Sequence, residues 1–244
     1  SKDGLEYTTL NLVHGEITPM RYGGNYKSYG PQYPRGIQEG NGIRADGDLW
    51  VSYSVNKEDM WISRIPVPVE INASAHADDD FSNNKSIAEL TDWNIYSPVW
   101  APVSLEDQWL KLQDKDPFDY AKVERKIPAS KELKVSFDLK AGQNNKGTLQ
   151  IEFLDENGIA CSRMELTDDG IFRLKGGSRF ANMMKYEAGK VYHVEAVLST
   201  VDRNIQVYVD GKRVGLRMFY APVAAVERIV FRTGVPRTFP TVDT

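Results

Sequence analysis

From Trp93 onward the chain is a succession of short runs in which apolar and polar side chains alternate, and no stretch offers an amphipathic helix longer than about two turns. Trp93–Trp100, Gln108–Leu112, Tyr120–Ile127, Glu132–Leu139 and Thr148–Leu154 each throw alternate side chains to opposite faces. So do Ile159–Leu166, Gly170–Leu174, Val191–Leu198, Asn204–Lys212 and Arg228–Arg232. About ten strands in roughly 150 residues, without helices between them, predict two packed antiparallel sheets. Asp155-Glu-Asn-Gly158 reads as a hairpin turn in which Asn157 and Gly158 can take positive φ.

The first third has a different texture. Asp48–Ile65 places two Trp-centred strands on either side of the charged tip Lys57-Glu58-Asp59, and Pro66 and Pro68, which lack a donor for a ladder, end the second strand. Before this hairpin lies a Gly-, Tyr- and Pro-rich stretch, Gly15 to Gly42, that cannot bury a continuous apolar face by itself. The hairpin is therefore a layer that needs cover from a neighbour. Between Asn72 and Leu90 the composition shifts to Ala, Ser, Asn and Asp, the texture of a linker. The expected organisation is a β segment over 1–70, a linker over 71–92 and an all-β domain over 93–244.

Bulk properties exclude several classes. A formal net charge of −4 on 244 residues, with mixed-sign charges and no sustained basic patch, argues against nucleic acid. No run of about 18 apolar residues exists for a membrane-spanning helix. Cys161 is the single cysteine, so neither an intrachain disulfide nor a thiolate metal cluster can form.

Two stretches resemble known families. Tyr192-His-Val-Glu195, followed by Ile205-Gln-Val-Tyr-Val-Asp-Gly211, is similar to the paired strands of concanavalin-A-like, laminin-G-like jelly rolls, a resemblance that covers about Trp93 to Thr244. Gln32-Tyr-Pro-Arg-Gly-Ile37 with the Asp48–Ile65 hairpin resembles the final blade of a sialidase-like β-propeller of bacterial polysaccharide-degrading proteins, over about Leu5 to Val69. Together they imply an all-β chain: a two-sheet antiparallel jelly-roll sandwich preceded by a propeller-blade-like segment. They also imply a bacterial, exported (secreted, periplasmic or cell-surface) protein, a polysaccharide or oligosaccharide partner, and further blades upstream.

Candidate chemistry is scattered. Were the Trp50/Trp61 hairpin the outer part of a blade, Arg35 would come near the propeller axis, able to grip a carboxylate bidentately with Gln32 and Tyr33 beside it. His14 is an acid or base candidate. Asp114, Asp116 and Asp119 space three carboxylates as calcium can use them, without the Gly and terminal Glu of an EF-hand loop. Tyr186, Phe219 and Tyr220 are candidate stacking platforms for sugar rings. Glu152 and Glu165, on neighbouring strands, are the nearest thing to a glycosidase carboxylate pair, in a setting of ordinary strand surface. Three functions stay open: the C-terminal, accessory part of a carbohydrate-active enzyme, a free-standing carbohydrate-binding module, and a complete jelly-roll hydrolase.

Overall fold

The computed structural model describes residues 30–37, 48–65, 77–90, 92–116 and 119–234, with isolated positions at Leu5, Val13, Met20, Tyr22 and Gly23. Two compact units divide the chain, Ser1–Asn72 and Ala73–Thr244.

In the first unit β1 (Pro31–Ile37), β2 (Leu49–Val55) and β3 (Asp59–Ile65) form an antiparallel sheet in chain order. Asn56 and Lys57 turn the β2–β3 corner at φ 56° and 57°, a region that Asn tolerates better than most residues. Asn56 also accepts the Gly30 N–H on its side-chain oxygen at 2.8 Å, which ties the hairpin tip to the start of β1. The two tryptophans occupy different rungs: Trp50 lies opposite Arg64, and Trp61 opposite Tyr53.

The second unit begins with a short 3₁₀ turn at Ile87–Glu89 and contains β4 (Trp93–Tyr96), β5 (Val103–Glu106), β6 (Trp109–Leu112), β7 (Lys122–Ser130) and β8 (Glu132–Lys140). Next come β9 (Leu149–Leu154), β10 (Ala160–Leu166), β11 (Ile171–Gly176) and β12 (Arg179–Lys185). It closes with β13 (Val191–Ser199), β14 (Asn204–Val209), β15 (Lys212–Met218) and β16 (Val226–Thr233). A seven-stranded sheet runs β12-β11-β10-β9-β16-β7-β4 and a four-stranded sheet β15-β14-β13-β8, with β5-β6 as a separate hairpin. This is an all-β jelly-roll sandwich.

Alternation decides which face is core. Ile151 and Phe153 of β9, Met164 and Leu166 of β10, and Phe172 and Leu174 of β11 point inward. They meet Val194, Ala196 and Leu198 of β13 and Ile205 and Val207 of β14 from the other sheet, every one of them almost fully buried. A second cluster of Ala101, Val103, Ala121 and Val123, with Trp93 and Leu112 against it, extends this core under β4 and β7. Asp79 and Asp92 are docked onto that end. Arg125, 5 % exposed, donates to Asp79 at 3.0 Å and pairs with Asp92 at 3.2 Å, while the Trp93 indole donates to Asp79 at 3.2 Å.

The expected β9–β10 turn is present, with one difference: Gly158 takes φ 79° and Asn157 stays at negative φ. Asp155 makes this possible by accepting the N–H groups of Asn157 and Ile159 at 2.9 and 2.8 Å. At Asp210–Gly211 both residues have positive φ, 49° and 77°, the mirror-image turn that favours Asp-Gly in two-residue hairpins.

Candidate functional site

Strand alternation that buries one face of the seven-stranded sheet leaves the other lined with polar and charged groups. Successive register pairs align them into two rows across the sheet. The first runs Tyr96, Lys122, Arg232, Gln150, Glu165, Arg173, Asn182, one residue from each strand. The second runs Asn94, Glu124, Val230, Glu152, Arg163, Lys175, Phe180. Beside them Lys126 stands opposite Arg228. Among the described residues of these two rows and the Lys126–Arg228 pair, seven cations stand with three carboxylates, in a chain whose formal net charge is −4.

Burial deepens toward the middle strands: Asn94 and Asn182 at the two edges are exposed, whereas Gln150 and Glu165 are 0 % and 1 % exposed. Buried charge demands partners, and most of the face is paired. Lys122 reaches Glu124 at 2.7 Å, the Arg163 Nε donates to Glu152 at 2.6 Å, and the Arg173 Nη2 donates to Glu165 Oε1 at 2.5 Å. Arg232 lies over the Tyr120 ring at 4.9 Å and donates to Gln150 Oε1 at 2.7 Å. A guanidinium only donates, so this bond fixes the Gln150 amide with its oxygen toward Arg232 and its NH₂ turned away.

Three consecutive members of the first row then keep an unused polar atom. Gln150 Nε2, Glu165 Oε2 and Arg173 Nε are buried without a hydrogen-bond partner. They form a donor, acceptor, donor sequence on β9, β10 and β11. Each such group costs about 1–3 kcal/mol while it stays unmet. In the second row Lys175 lies over two rings, Tyr220 at 4.3 Å and Phe180 at 5.9 Å, and Arg173 stacks on Phe180 at 4.3 Å. Burial pushes the Tyr220 hydroxyl far above the ordinary phenol range, against the pull of Arg163.

The residues singled out in the sequence scatter. His14 lies outside the described residues. Gln32, Tyr33 and Arg35 share β1 in the first unit. A bulge falls between Gln32 and Arg35, with Tyr33 at φ 55° and 63 % exposed, and Lys57 sits over the Tyr33 ring at 5.9 Å. Tyr220 does border the polar face, backed by Lys175. Tyr186, expected to stack on a sugar, is a core residue instead: it is 6 % exposed and its hydroxyl donates to the Thr167 carbonyl at 2.6 Å. Phe219 likewise packs against the core.

The calcium expectation at Asp114, Asp116 and Asp119 is also corrected. Among the described residues no three His, Cys, Asp or Glu side chains converge as metal ligands. Asp119 accepts the Tyr96 hydroxyl at 2.9 Å, and Asp114 accepts the Thr233 hydroxyl at 3.0 Å and the Asp116 N–H at 2.9 Å. Burial raises the Asp114 carboxyl above its ordinary range. These aspartates brace the loop before β7 onto β4 and β16. Glu152 and Glu165 share one face of adjacent strands, each in an ion pair with its own arginine.

Gln150, Arg163, Arg173, Lys175, Phe180 and Arg232 were not singled out by the sequence. Their signal was the recurrence of charge at alternate positions of several strands, which reads as ordinary solvated surface until the register stacks it into rows.

A family model described as sialidase-like, CBM domain matches residues 93–244. The chain belongs to the sialidase-like CBM domain family. This domain, with the preceding segment, is similar to a structure named sialidase at 90 % identity and a TM-score of 0.92, over 100 % of this chain and 23 % of that one. The CBM-domain chain thus spans under a quarter of the length of that sialidase. It also matches an apo Crh5 transglycosylase at 12 % identity and a TM-score of 0.53, over 66 % of this chain and 70 % of that one, which is a likeness of fold alone. No curated protein sequence matches it. Among the described residues no helix is long and apolar enough to cross a membrane.

Proposed function

We propose that this chain is the carbohydrate-binding, accessory part of an exported glycoside hydrolase of the sialidase type, and that its sandwich holds glycan on the outer face of the seven-stranded sheet. The observation that carries this reading is the match of residues 93–244 to a sialidase-like CBM domain, and the 90 % identity to a sialidase supports the same class of ligand. Half-buried Phe180 and Tyr220 give the outer face ring surface of the kind sugars stack on.

Catalysis belongs elsewhere in the parent protein, because Glu152 and Glu165 are both tied to arginines. The β1–β3 segment is proposed as the last blade of a propeller whose other blades lie upstream, with Arg35, Gln32 and Tyr33 as its glycan contacts. A glycan array probed with the 244-residue chain tests the main reading. Binding is expected, and Phe180→Ala should weaken it by at least about tenfold, which is roughly 1.4 kcal/mol, without loss of strand content by circular dichroism. An array on which the folded wild-type chain binds nothing overturns it.

A further inference from the structure

We infer that the cleft between the edges of the two sheets, where β12 and β15 face each other, is a second binding site, for a sugar residue that carries a carboxylate. The choice of a sugar rests on the carbohydrate-binding reading above, whereas the place and the charge come from the cleft itself.

Place follows from two bulges. On β15 the pairing with β14 slips by one residue between Arg213 and Gly215, which leaves Val214 over. On β12 the pairing with β11 slips between Asn182 and Met184, which leaves Met183 over. A bulge bends its strand and re-aims the side chain it carries. Both surplus residues line one cleft of about 550 Å³, with Met184 beside them, a size within the roughly 300–1,000 Å³ of small-molecule sites. On one side the seam is shut, because Met183 packs against Gly215 too closely for a Cβ between them. Met183, Met184 and Val214 are half-buried, so each keeps apolar surface for the C–H face of a sugar ring.

Charge follows from the rim. Lys190, Lys212 and Arg213, all exposed, line the cleft together with one carboxylate, Asp210. Lys190 lies over the Tyr192 ring at 4.9 Å and stands 3.8 Å from Glu187. Lys212 and Arg213, consecutive at the start of β15, make no ion pair or side-chain hydrogen bond among the described residues. A guanidinium fork matches a carboxylate bidentately, and the neighbouring ammonium adds a second charge. Asp210 Oδ1 accepts the His193 N–H at 3.0 Å, which leaves Oδ2 to accept a ring hydroxyl. An acidic sugar thus meets an apolar wall, a cationic fork and an acceptor in one place.

Amide NMR titration of the isotope-labelled 244-residue chain with glucuronate, glucose and acetate tests this. Glucuronate should move the amides of Met183, Met184, Arg213 and Val214 along one saturable curve, and glucose and acetate should each bind at least about tenfold more weakly. Arg213→Met should weaken glucuronate by at least about tenfold with the melting temperature unmoved, and Phe180→Ala, on the outer face, should leave the curve as it is. Glucose that binds as tightly as glucuronate overturns the inference, because the cations then play no part. Acetate that matches glucuronate overturns it too, because the ring then plays none. If the cleft amides stay still under glucuronate while glycans bind on the array, the inference falls and the carbohydrate-binding reading stands. If the array is also blank, both fall.

Discussion

At the scale of single residues, the polar face makes unequal demands on its members. Removing Glu165 as Glu165→Leu strands the Arg173 guanidinium, whose side chain is 33 % exposed; urea denaturation should show a loss of about 2–4 kcal/mol, below the range for a fully buried pair. Gln150→Leu removes an unmet NH₂ along with one acceptor, and Arg232 keeps its place over Tyr120, so the same measurement should move by less than about 1 kcal/mol. Cys161 tests a different property. Desolvation pushes its thiol up to about 12 from an ordinary 9.0. Between those values the folded state holds a proton that the unfolded chain has released, so this contribution to stability is full below about pH 9 and fades as pH rises toward 12. Native protein at pH 8 should therefore not react with a thiol-disulfide reagent until denatured, and the alkaline decline in melting temperature should be shallower in Cys161→Ala. The strand that carries this thiol was legible as the alternating run Ile159–Leu166. The roles of Gln150 and Arg173 were not, because a hydrogen bond left unmade depends on which strands become neighbours.

Among the elements, the sequence exposed strands whose apolar residues alternate and hid those whose do not. Sheet topology adds β5, β12 and β15 to the expected ten. Lys212–Met218 is exposed or half-buried throughout, and Arg179–Lys185 carries two adjacent methionines beside a register shift, so neither shows a clean period of two. Both are edge strands, where one side of the ladder is open and alternation is weakly enforced. They meet where the two sheets close on each other, and two glycines allow it. A Cβ at Gly215 would stand 2.6 Å from the Met183 sulfur, and one at Gly176 would stand 2.8 Å from the Arg217 Cβ. Gly215→Ala and Gly176→Ala should each cost about 1–3 kcal/mol by overpacking this seam. Gly142→Ala, with nothing within 4 Å of the new methyl group, should be neutral or slightly stabilising in the same denaturation series.

For the molecule as a whole, the two units differ in what they can bury. Both core clusters belong to Ala73–Thr244, whereas the apolar side chains of the first unit buried among the described residues are Tyr53 and Val55. A fragment of residues 73–244 should keep a cooperative thermal transition close to that of the full chain, and residues 1–72 alone should show none by calorimetry. The sandwich was legible at this scale because strand count and the lack of helices leave few alternatives. Strand order was not, because β16 is inserted between β9 and β7, and nothing in the residues of Val226–Thr233 names those neighbours. That insertion governs how the protein comes into being. On the ribosome, β4 and β7 cannot join β9 until the strand ending at Thr233 has emerged, so between the emergence of Leu154 and that of Thr233 the nascent chain carries two half-sheets with raw edges. Chaperone demand should concentrate in that interval, and a stop codon anywhere before Val226 should yield a product for proteolysis, not a shortened sandwich.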